Sequence, residues 1–131
     1  MQTQTQNLNS SSQNLHERLV DIDLNLLYDE FNINYYDLMK ILMNKMEFAV
    51  VGVSTDTGNI QIDFASNDWL HEVANKFIDL LEELYKRYNE ISQEEFDNRI
   101  REFAVKHGVV MYRVIEYDVA YFIVPEQENE G

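Results

Sequence analysis

Three histidines and a large set of carboxylates are the side chains of this chain best suited to chemistry, and their spacing limits what they can do. A metalloprotease helix carries two His four residues apart, so that both imidazoles reach one zinc while an adjacent Glu serves as base. His16-Glu17 and His71-Glu72 begin that pattern, but Val20 and Asn75 stand where the second ligand belongs, and His107 lies far along the chain. His16 and His71 read instead as residues near helix N-termini, and His107 as a residue near a helix C-terminus, where an imidazolium suits the dipole. Asp21, Asp23 and Asn25 imitate the opening of a calcium loop. The imitation fails at Leu26, where the sharp turn needs Gly, and at Asn32, where a bidentate Glu would close the site.

Nucleophilic and cofactor chemistry fare no better. Cys is absent, which removes thiolate nucleophiles, disulfides and the thiolate classes of zinc and iron-sulfur site. No Ser sits in a nucleophile elbow, and none of the 4 Gly is arranged to cradle a phosphate. Close carboxylate pairs, as glycosidases and other acid-base enzymes use, are expected by abundance alone. On the helical segments, however, the acids fall at stabilising four-residue spacing from bases: Glu82 with Lys86, Glu83 with Arg87, Glu95 with Arg99, Asp97 with Arg101 and Glu102 with Lys106. No catalytic, cofactor-binding or metal-binding residues are therefore assigned, and the chain reads as a non-enzymatic protein without a cofactor.

Those side chains are carried by a single expected α+β domain. The 131 residues, 45% of them hydrophobic, suit one core rather than two. From Gln2 to Asn14 all but Leu8 are Gln, Thr, Asn or Ser, so residues 1–14 read as a disordered polar tail. The folded part is expected over residues 15–124, with an acidic tail at 125–131 containing Glu126, Glu128 and Glu130. Leu15, Leu19, Ile22 and Leu26, flanked by Val20, Leu24, Leu27 and Phe31, recur at helical spacing and predict one long first helix. Asn34 with Asp37 predicts a capped second helix through Leu38, Ile41, Leu42 and Met46.

Phe48 to Val53 reads as a buried strand, and Gly58 in Asp56-Thr57-Gly58-Asn59 suits a hairpin turn. In the returning strand, Ile60, Ile62 and Phe64 alternate with Gln61 and Asp63. A third helix follows the possible caps Ser66, Asn67 and Asp68, and a fourth follows Ser92, with Gly108 as its stop. Val109 to Val124 is too long and too rich in Val, Ile, Tyr and Phe for one strand, and reads as a hairpin turning near Glu116-Tyr117-Asp118. The order is ααββααββ, four helices packed on an antiparallel sheet of four strands. Leu-His-Glu and Glu-Phe-Ala-Val each recur at a shift of 55 residues, at 15 and 70 and at 47 and 102, which raises an internal repeat as one reading.

Charge and apolar surplus then point to partners. A net charge of −14 argues against naked nucleic acid as a direct ligand, because a phosphate backbone is bound by displacing its counterions with protein cations. The hairpin from Glu47 to Ala65 has three acids and no base, so Glu47, Asp56 and Asp63 form a candidate surface for a basic partner. Tyr112, Tyr117 and Tyr121, on strands apolar along both faces, are the candidate self-association surface, with a homodimer expected. The leading expectation is a small acidic protein-interaction domain that self-associates. The alternative is an acidic inhibitor or nucleic-acid mimic that binds a basic nucleic-acid-binding protein or nuclease. Residues with A/T-rich codons (Phe, Tyr, Met, Ile, Asn, Lys) total 48 against 15 Gly, Ala, Pro and Arg, a bias compatible with a viral or mobile-element origin. No secretory signal or membrane span is read, and a cytoplasmic location is expected.

Overall fold

The computed structural model describes residues 15–116 and 118–126. Its elements are β1 (Leu19–Asp23), α1 (Leu24–Phe31), α2 (Tyr35–Lys45), β2 (Ala49–Val53), β3 (Ile60–Ala65), α3 (Asp68–Lys86), α4 (Gln93–His107), β4 (Val109–Ile115) and β5 (Val119–Pro125), preceded by one helical turn at residues 15–17. The tail at 1–14 and most of the acidic tail lie outside the described residues.

The strands form one mixed sheet in the order β1-β4-β5-β2-β3, with β1 parallel to β4 and every other pair antiparallel. The expected four strands are thus five, and the order is βααββααββ. The single long first helix is the expectation that fails. Its apolar stripe exists, but Leu19 is buried in one core and Leu24 in the other, so the segment changes conformation between them. Two interactions favour the strand. The Arg18 carbonyl accepts the Met111 N–H at 2.8 Å, and Arg113 of β4 binds Asp21 directly across the parallel register. Asp23 then ends β1 by accepting the N–H groups of Asn25 and Leu26, which starts α1 as an N-cap.

The remaining boundaries follow local chemistry. Asn34 and Asp37 form the reciprocal capping box of α2, at 2.9 and 3.3 Å. Asn67 caps α3 and Ser92 caps α4. Gly108 ends α4 at φ 68°, and Gly58 occupies the hairpin turn at φ 77°, both in the left-handed region open to glycine. The repeated Glu-Phe-Ala-Val segments share no conformation, since residues 47–50 lead into β2 and residues 102–105 lie in α4.

Two cores lie on opposite faces of the sheet, where length and composition suggested one, because helices cover both faces. On the first, α3 and α4 set Leu70, Phe77, Leu81, Leu84 and Ile100, all fully buried, against Val51, Met111, Tyr121 and Ile123. Each such side chain contributes about 1.5–3 kcal/mol of burial. On the second, α1 and α2 lie over Phe48, Val50, Val114, Phe122 and Val124. This layer is thinner: α1 buries only Leu24 and α2 buries none of its residues fully.

β3 links the two faces. Its register jumps between Val50↔Phe64 and Val51↔Ile62, a β-bulge that sends Ile60 and Ile62 to the first core and Phe64 to the second, where it packs 5.0 Å from Phe48. The alternation read from the sequence holds only as far as Ile62. No helix among the described residues is long and apolar enough to cross a membrane.

Candidate functional site

Two adjoining depressions lie on the second face. The first is an acidic cleft of about 410 Å³ at the end of the sheet where the β2–β3 and β4–β5 turns meet. Its polar wall holds Asn59, Gln61, Asp63, Glu116 and Asp118, its apolar wall holds Val114, Val119 and Ala120, and Tyr35 leans in from α2. Among the described residues three carboxylates line it, and no Lys, Arg or His does.

Local structure places each acid. The bulge in β3 turns Asp63 over Gly52, and a methyl group added at Gly52 would overlap that carboxylate. Gln61 Nε2 donates to Asp63 Oδ1 at 3.1 Å. Asp118 accepts from the Thr55 N–H at 3.2 Å and from Thr55 Oγ1 at 3.3 Å, which joins the two turns. Burial and then the Asp63 carboxylate raise the Tyr35 phenol above its ordinary pKa, with Tyr36 adding to the shift. Tyr35 therefore stays protonated and offers its O–H as a donor beside the acids.

The second depression is an apolar trough of about 230 Å³ between α2 and the sheet, lined by Ile22, Leu38, Leu42, Met46, Tyr112, Val114, Phe122 and Val124. It meets the acidic cleft at Val114. Through Met46, Tyr112 and Val124 it also joins a groove of about 560 Å³ that ends at Glu17, Arg18 and Glu126. There Arg18, only 7% exposed, donates to the Val109 carbonyl at 2.9 Å and pairs with Glu126 at 2.7 Å.

Of the expected basic-partner surface, only Asp63 reaches the cleft. Glu47 precedes β2 at the opposite end of the strand, where it accepts from Asn67 at 2.6 Å, and Asp56 lies exposed in the β2–β3 turn outside the cleft lining. The three do not form one patch, because a strand and its return separate them. The tyrosine surface changes as well. Tyr121 is 1% exposed and packs edge-on to Phe77 under α3, so it cannot meet a second copy. Tyr112 is half-buried on the other face, in the apolar trough, and Tyr117 lies outside the described residues.

Sequence reasoning missed Tyr35, Glu116 and Asp118, which converge only through the sheet order. It also missed the network at Arg113. This Arg binds Asp21 (2.6 Å) and Asp97 (2.9 Å), each through two nitrogens, and it also interacts with Tyr121. A lone Arg inside the apolar run VVMYRVI was the available signal, since a buried guanidinium requires acidic partners.

Asp97 is consequently drawn away from Arg101, and Arg99 turns to Glu83 across the α3–α4 pair. Of the expected helical ion pairs, Glu83–Arg87 forms, at 4.0 Å. His107 stacks 4.2 Å from Phe103, and burial, followed by Lys76 and Lys106, lowers its pKa below the ordinary 6.5. It favours the neutral form there, contrary to the imidazolium expected at a helix C-terminus.

No family model, curated protein or solved structure matches this chain.

Proposed function

We propose that this chain is a non-enzymatic protein-interaction domain that binds another protein through the α1–α2 side of its sheet. One observation carries the reading: of the twelve large apolar side chains exposed on the described surface, eight fall between residues 20 and 46. Tyr28 and Phe31 lie three apart on α1, and Tyr36 and Met43 lie seven apart on α2, so each pair shares a helix face. Such clustering on a monomer's surface marks an interaction site more often than scattered apolar residues do. The thin core beneath is consistent with a layer that gains burial on binding.

The test compares Tyr36→Ser/Met43→Ser with Trp69→Ser/Tyr88→Ser, which removes exposed apolar side chains from α3 and its end. Circular dichroism checks each fold, and each protein is used for affinity capture from native-host lysate, with sedimentation alongside. The α2 pair is expected to lose the captured protein while the control pair keeps it. Capture unchanged by the α2 pair would overturn the reading.

A second reading, the acidic inhibitor of a basic nucleic-acid-binding protein, is favoured by the cleft around Asp63, Glu116 and Asp118. The two differ in salt response. Attraction to the cleft is screened at high salt, whereas apolar contact survives it.

A further inference from the structure

We propose that the occupant of the second face is a cationic amphipathic segment of a partner protein, with basic residues seated in the acidic cleft and apolar residues in the adjoining trough. The inference rests on the interaction reading above and names its partner chemistry. The cleft and the trough share Val114, so one ligand can span both. At the cleft end the wall presents Asp63, Glu116 and Asp118 with no cation among the described residues, and Tyr35 lines the same cleft. At the trough end Ile22, Leu38, Leu42, Met46 and Tyr112 offer an apolar surface above the buried Phe122 and Val124, and α2, with no fully buried residue, has little packing to lose if it shifts to admit a side chain. A complementary ligand is therefore positive at one end and apolar along the rest.

A second copy of this chain fits poorly. Four of its five Arg are already committed to carboxylates (Arg18 to Glu126, Arg87 to Glu83 and Glu90, Arg99 to Glu83, and Arg113 to Asp21 and Asp97), which leaves Arg101 and five Lys against the 24 acids of each copy. Two copies also bring net charges of −14 together.

The test uses the full chain and three synthetic peptides of about 15 residues, long enough to form a helix on binding. The first has two Arg at one end followed by an amphipathic Leu/Lys sequence, the second replaces every Arg and Lys by Glu, and the third replaces Leu by Ser. Calorimetry gives affinities, and amide chemical shifts locate the site. The first peptide is expected to shift Asp63, Tyr112, Val114 and Val124, and the other two to bind at least about tenfold more weakly. Asp63→Asn/Glu116→Gln should weaken the first peptide about tenfold. Glu90→Gln/Glu94→Gln, which removes the same charge elsewhere, should change it less than about twofold.

Equal weakening by both variant pairs would show general attraction to an acidic chain and overturn the proposal. Equal binding of the Glu peptide, abolished by Leu42→Glu, would overturn the cationic partner while leaving the interaction surface intact. Concentration-dependent self-association with shifts at the same residues would assign the face to a second copy. A monomer that binds none of the peptides would overturn the proposal, and the capture comparison above then decides the interaction reading separately.

Discussion

Replacing Arg113 by Met removes the guanidinium that ties β4 both to β1, through Asp21, and to α4, through Asp97. The Arg113 side chain is 10% exposed, and it grips Asp97, 15% exposed, through Nη1 and Nη2 at 2.9 and 3.4 Å. Asp21, its other partner, is 59% exposed and therefore screened, so that arm is assigned about 0.5–1 kcal/mol. The Asp97 arm differs because Met leaves this largely buried carboxylate of α4 with its cation gone, a loss of about 3–5 kcal/mol.

Arg113→Met is thus expected to lose about 3.5–6 kcal/mol in all, a large share of the stability of an ordinary domain. Adding Asp97→Leu removes the stranded charge and should recover about half of that loss. Urea unfolding followed by circular dichroism measures both variants. Amide exchange over residues 19–23 should quicken most in Arg113→Met, because among the described residues β1 has only β4 as a strand neighbour. A loss below about 1 kcal/mol for Arg113→Met, or simple additivity in the double variant, would refute the reasoning.

Asp63→Asn should lower the Tyr35 titration midpoint toward the ordinary tyrosine value, because it removes the nearest charge opposing phenolate; side-chain carbon shifts at Tyr35 read this directly. His107 has a folded-state pKa below its unfolded one, so its contribution to stability is full above about pH 6.5 and is lost as pH falls through the lower folded value. His107→Gln should flatten that part of the stability-pH curve in urea titrations between neutral and mildly acidic pH. Asn34→Ala removes the capping box of α2 and is expected to lose about 1 kcal/mol, seen as faster amide exchange over residues 35–38 with β4 and β5 unchanged.

Local rules were strong enough to fix much of this fold from the residues alone. Asn34 with Asp37, Ser92, Gly58 and Gly108 each act within a few residues through a side-chain cap or a left-handed backbone, so their roles were legible before any packing was known. The start of α3 was equally clear, because Ser66, Asn67 and Asp68 are all cap-forming residues and Asn67 takes that role.

Residues 19–23 and Asp63 mark where that reasoning ran out. Leu19, Ile22 and Leu26 satisfy a helical spacing, but the segment becomes a strand because β4 lies beside it, ninety residues later, with Arg113 facing Asp21. The bulge that lifts Asp63 over Gly52 depends on the pairing of β2 with β3, and the cleft it enters depends on β5 lying between β4 and β2. The sequence by itself determined an acidic, cysteine-free α+β chain and most of its turns and caps, since these depend on composition and near neighbours. Which acids converge, which tyrosine is buried and which apolar side chains stay exposed were decided by tertiary structure alone, because those outcomes follow from contacts between residues far apart in the chain.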